Sequence, residues 1–142
     1  MAITSGTSLN NAKSMLALNS HLYGHYFRIL YQLLKFVAIN SPDSQIGLDF
    51  NAENIKNSPV SLNEKMYSNV IRALLTNEIV QLLAVNCYCE NGESDSYWKY
   101  KLLIDRYALF EHAPFRFCSK GYDDDAIFSE IRNFYDGKAF GL

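Results

Sequence analysis

The strongest constraint in this sequence is the stretch from Ala12 to Ile39, in which large apolar side chains return every three or four positions. Met15, Leu18, Leu22, Tyr26, Ile29, Leu33 and Phe36 make one stripe, and Leu16, Tyr23, Phe27, Leu30, Leu34 and Val37 make a second beside it. At about 100° per residue the two stripes cover roughly half of a helix circumference. A helix apolar over so wide an arc needs neighbours on more than one side, so the spacing predicts one long helix at the centre of a bundle. On the same segment His21, His25, Arg28, Gln32 and Lys35 recur at intervals of four, three, four and three, which places them on one narrow polar stripe. That stripe reads either as the solvent face of an amphipathic helix or as an interaction site, with Arg28 gripping an anion and His25 moving a proton.

The rest of the chain supports an all-α domain of about four helices, the first two long and antiparallel. Residues Met1 to Asn11 are small and polar and read as a leader. Residues 40–61 carry Pro42, Asp43, Gly47 and Pro59 among many Asn and Ser residues, the chemistry of a long irregular connection. Within it, Ile46, Leu48 and Phe50 alternate as a short extended segment would. Ser61 followed by Glu64 has the capping-box spacing, in which each side chain satisfies an orphan amide of the other, and opens a second helix predicted to run to Cys89. Asn91 and Gly92 mark a turn, a third helix spans about Ser96 to Phe110 and ends before Pro114, and Phe115 to Gly121 reads as irregular or extended. A fourth helix opens at Asp123 to Asp125 and closes at Gly137.

Composition narrows the function. The 142 residues fit a single domain, 49% of them hydrophobic, which is enough apolar side chain to offset the entropy of ordering. A net charge of -2 supplies no general positive field for nucleic acid or an anionic membrane. No stretch of about 20 apolar residues is present, as a membrane span would need, and the first residues show no secretory signal. Cys87, Cys89 and Cys118 are odd in number and read as free thiols of a reducing compartment. The expected setting is the cytoplasm, with a membrane tether only if the chain is part of a longer one. His21 and His25 have an i, i+4 spacing that can chelate zinc, but no HExxH pattern accompanies them, so no metal is expected. No glycine-rich phosphate loop, serine elbow or cysteine-protease signature occurs, and no cofactor is expected.

Three blocks carry a resemblance: HLYGHYFRILYQLLKFV at 21–37, YSNVIRALLTNEIVQLLAVN at 67–86 and KLLIDRYALFEHAP at 101–114. In this order, over roughly a third of the chain, they resemble the phage abortive infection family of the AbiC type. The resemblance implies a bacterial or phage-borne defence protein, whose larger relatives carry membrane-spanning and coiled-coil segments ahead of this domain. The connection at 40–61 is longer than the family leads one to expect, and Ile79 stands where some relatives have a second acid after the position of Glu78.

Glu78 is the oddest polar residue by spacing, because Tyr67, Ile71, Leu74, Glu78, Leu82 and Val85 share a helical stripe. A carboxylate within an apolar stripe needs a partner, and Arg28 across the helix interface is the expected one, as a structural polar pair. Arg72 lies about 120° around from Glu78 and is assigned to an interaction surface. Arg106 and His112 have five residues between them, within the spacing of the arginine and histidine of HEPN-type helical ribonucleases. There the arginine would stabilise phosphate charge and the histidine would act on a hydroxyl proton. The sequence therefore supports two functions. The first is a sensor or protein-interaction module of phage defence, with a protein or phage component as partner and possible self-association. The alternative is a metal-independent endoribonuclease using Arg106 and His112.

Overall fold

The computed structural model describes residues 9–112 and 126–142, with the side chains of residues 126–128 left aside. Every regular element among them is helical. In chain order these are α1 (Leu9–Leu18), α2 (Ser20–Asn40), α3 (Ala52–Asn57), α4 (Leu62–Ala73), α5 (Asn77–Asn86), α6 (Trp98–Arg106) and α7 (Ala126–Phe134), with 3-10 turns at Gly92–Ser94 and Gly137–Phe140. The all-α expectation holds. The four-helix count does not, because both long helices are interrupted and the long connection contains α3.

The interruptions have local causes. At Asn19 the main-chain N–H donates to Leu16 O at 3.0 Å and the side-chain amide donates to Met15 O at 2.9 Å, so the residue caps α1 where it was expected to continue the helix. At Leu74 and Leu75 the N–H groups reach back three residues, to Ile71 and Arg72. Thr76 then begins a new helix by accepting from Ile79 N at 3.2 Å. The capping box at the start of α4 is formed as its spacing predicts, with Glu64 N bonded to Ser61 Oγ at 3.2 Å and Ser61 N to Glu64 Oε2 at 2.9 Å. Residues 46–50 form turns and no strand: Ile46 is buried while Leu48 is 95% exposed. The leader expected through Asn11 is shorter, since α1 begins at Leu9, which is buried and donates its N–H to Glu130 Oε2 at 2.7 Å. Residues 1–8, the segment at 115–121 and the opening at Asp123 to Asp125 lie outside the described residues, as does Cys118.

The centre of the molecule is α6, where the sequence pointed to the first long helix. Every residue from Tyr100 to Tyr107 is buried, including Lys101, Asp105 and Arg106. Around it pack α2, α3 and the 3-10 turn at 137–140. Tyr100 donates its hydroxyl to Phe27 O at 2.8 Å, tying α6 to α2, and Tyr135 donates to Ala84 O at 2.6 Å, tying the C-terminal segment to α5. Lys13 on α1 donates to Asn86 O at 3.0 Å and to Tyr88 O, and so holds the carbonyl end of α5.

On α2 the two apolar stripes have opposite fates. Phe27, Leu30, Leu34 and Val37 are core, each burial worth about 2 kcal/mol. Leu22, Tyr26, Ile29, Leu33 and Phe36 are 41–64% exposed, and Met15 and Leu18 on α1 are also outside. The spacing identified both stripes, but the described residues cover only one of them.

Candidate functional site

Among the described residues, a dense buried hydrogen-bond network is built around Arg106, at the last turn of α6. Its side chain is 2% exposed, and the guanidinium meets Glu64, which is fully buried, in a bidentate pair: Nε to Oε1 at 3.0 Å and Nη2 to Oε2 at 3.0 Å. The remaining donors go to main-chain carbonyls of the connection, Nη1 to Ile55 at 3.1 Å and Ser58 at 2.6 Å, and Nη2 to Pro59 at 3.0 Å. A guanidinium has five N–H donors, and all five are engaged. Glu64 is equally saturated, since it also receives the Tyr107 hydroxyl at 2.7 Å and the Ser61 amide of its capping box. Burial, and then the hydrogen bond to Glu64, push the Tyr107 hydroxyl far above its ordinary range. One buried node thus joins α4, α6 and the 40–61 connection.

A second buried pair lies one turn earlier on α6, where Lys101 Nζ sits 2.7 Å from Asp105. Asp105 also caps the C-terminal segment by accepting from Asp136 N at 3.1 Å. Burial raises the Asp105 carboxyl, and the Lys101 ammonium pulls it partly back. Lys101, Asp105 and Arg106 border a small cavity of about 250 Å³, which neither Glu64 nor His112 lines.

These observations relocate several residues singled out by spacing. Glu78 is exposed in the first turn of α5, just after the Thr76 cap, where a carboxylate suits the helix N-terminus. The expected pair with Arg28 is absent among the described residues. The stripe that held Glu78 ran through the break at 74–76, beyond which the helical spacing no longer keeps one face; Leu74 is 77% exposed while Val85 is buried. Among the described residues, the buried pair of a carboxylate with an arginine is Glu64 with Arg106. Glu64 was legible only as a capping residue, and its second role is invisible locally because its partner is 42 positions away. Arg72 is half-buried and clasps the turn after α6, donating to Ala108 O at 3.1 Å and pairing with Glu111. His112 is exposed, and Arg106 has no donor left to share with it.

The polar stripe of α2 divides in two. His21 and His25 are exposed, and Lys35 is half-buried with its ammonium 5.2 Å from the Phe50 ring. Arg28 and Gln32 instead line a cleft of about 480 Å³ between α1, α2 and the start of α6. Among the described residues no group of three or more His, Cys, Asp and Glu side chains could hold a metal ion. Cys87 and Cys89 are buried free thiols; burial lifts Cys89 to about 11 and Cys87 higher still, so both stay protonated near neutrality. No described helix is long and apolar enough to cross a membrane.

Together these features describe a helical fold with a bidentate ion pair locked into its architecture and an arginine, Arg28, lining an open cleft beside α2. The chain belongs to the family described as "Putative phage abortive infection protein", whose model matches residues 19–118. No curated protein and no solved structure matches it.

Proposed function

We propose that this domain is the protein-interaction or sensing module of an abortive infection system, and that it docks a partner helix along the outer face of α2. The carrying observation is the row Leu22, Tyr26, Ile29, Leu33 and Phe36, 41–64% exposed at steps of four, three, four and three. This is the seam spacing by which one helix packs on another, and monomers rarely leave so continuous an apolar row open to water. On the neighbouring α4, Met66 and Val70 are also exposed, as is Leu74 just beyond its end. The flank of the α2 row carries His21, His25, Arg28 and Lys35, and α2 contains no acidic residue. An antiparallel pairing of two copies along this row would set one basic flank against the other. The favoured occupant is therefore an amphipathic helix of a partner protein or phage component with acidic flanking residues.

The test is phage plaquing in cells expressing the natural gene as wild type, as the double variant Ile29→Glu and Leu33→Glu, and as His112→Ala. The double variant is expected to lose protection at unchanged protein level and thermal midpoint, and His112→Ala is expected to keep it. Protection retained by the double variant would overturn the docking face. Light scattering on the purified protein detects a second copy as the occupant: a wild-type dimer that the double variant dissociates would replace the acidic helix with self-association. The ribonuclease reading draws no support from the geometry, since Arg106 is buried and its donors are engaged. Host RNA breakdown abolished by His112→Ala would reinstate it.

A further inference from the structure

The opposite side of α2 carries a different opportunity. The cleft of about 480 Å³ falls within the range of roughly 300 to 1,000 Å³ typical of small-molecule sites. Five aromatic side chains, Tyr23, Phe27, Tyr31, Tyr97 and Tyr100, help to line it, and no acidic residue does. Two cations do. Lys13 is committed to the carbonyls of Asn86 and Tyr88, and its ammonium lies 4.4 Å from the centre of the Tyr97 ring. Arg28 is exposed and makes no hydrogen bond or ion pair with any described residue. One turn before it, Gly24 leaves room for the guanidinium along the helix; a Cβ there would sit 3.4 Å from Arg28 Nη1. Gln32 stands one turn further on, with its amide likewise unengaged among the described residues.

A planar fork of unengaged N–H donors matches the oxygens of a phosphate group, while tyrosine rings offer flat apolar faces for a flat heterocycle. We propose that this cleft binds a mononucleotide, with the phosphate on Arg28, the base against the rings of Tyr23, Tyr31 and Tyr97, and the Gln32 amide facing the polar edge of the base. The aromatic walls argue against a simple anion, and the positive field argues against a neutral apolar ligand. The cleft lies on another side of α2 from the outer row, with Arg28 between the two.

Calorimetric titration of the full chain with AMP, GMP, CMP and UMP, alongside the corresponding nucleosides and inorganic phosphate, tests this directly. At least one mononucleotide is expected to bind saturably, and about tenfold or more tighter than its nucleoside or phosphate alone. Arg28→Ala and Tyr97→Ala, both exposed positions, should each weaken that binding by about tenfold at an unchanged thermal midpoint of the free protein. Arg28→Lys should weaken it less than Arg28→Ala. No binding of any of the four at millimolar concentration overturns the proposal, as does binding that Arg28→Ala leaves intact. Phosphate bound as tightly as the nucleotides would also overturn it, reducing the cleft to an anion site.

Discussion

The carboxyl end of α6 and the outer sides of α2 both present an arginine near aromatic rings, yet they differ in what remains unengaged. Around Arg106 every donor has a protein acceptor, and Glu64 accepts from three residues. Along α2, Arg28 lines an open cleft and five large apolar side chains face outward. A saturated buried pair has nothing left to offer a substrate, so it holds the fold together. The unsaturated surface costs stability through exposed apolar area, and it is where binding energy is available.

The largest effect that would break this contrast is at the node. Arg106→Ala strands a buried carboxylate and three carbonyls and should cost about 3 to 5 kcal/mol in urea unfolding. Replacing both partners, as Arg106→Met with Glu64→Leu, should recover a substantial part of that loss, because no lone charge is then left buried. A loss under about 1 kcal/mol for the single variant would mean that the pair is not structural.

An intermediate effect concerns the thiols. Burial raises Cys87 and Cys89, so the unfolded chain gives up these protons first as pH rises. Their contribution to stability is intact below the ordinary thiol value of 9.0 and declines as pH climbs from there towards about 11 for Cys89. The thermal midpoint of the wild type should fall more steeply above pH 9 than that of the Cys87→Ala and Cys89→Ala double variant. Equal slopes would contradict the burial of the two thiols.

The smallest effects sharpen the contrast from the surface. Glu78→Ala and His112→Ala should each change stability by less than about 0.5 kcal/mol, because neither is buried or paired among the described residues. A loss of several kcal/mol at Glu78 would restore the buried-carboxylate reading that helical spacing alone suggested.

What was legible in the sequence follows from the range of each signal. The Ser61 and Glu64 cap is written within four residues and formed as expected. The arcs of α2 were legible as arcs, since periodicity fixes which residues share a face. It does not fix which face is covered, so a row that reads as core is open to water. The breaks at Asn19 and Thr76 depend on single polar side chains competing for main-chain bonds within otherwise periodic runs. The node joins residues 42 to 51 positions apart, and no local pattern encodes that meeting. Arg106 stood out for its spacing to His112, although its chemistry is set by Glu64.

The way Arg106 grips the 40–61 connection has a consequence for how this segment can vary. Its three contacts there are to carbonyl oxygens of Ile55, Ser58 and Pro59, which every amino acid supplies. The anchor reads the path of the backbone and is indifferent to most side-chain changes along it. Substitutions between Ser58 and Val60 should therefore drift freely, whereas deleting a single residue there would shift the carbonyls out of register. An inserted peptide is best accommodated near Leu48, ahead of α3 in the chain, where the side chain is 95% exposed.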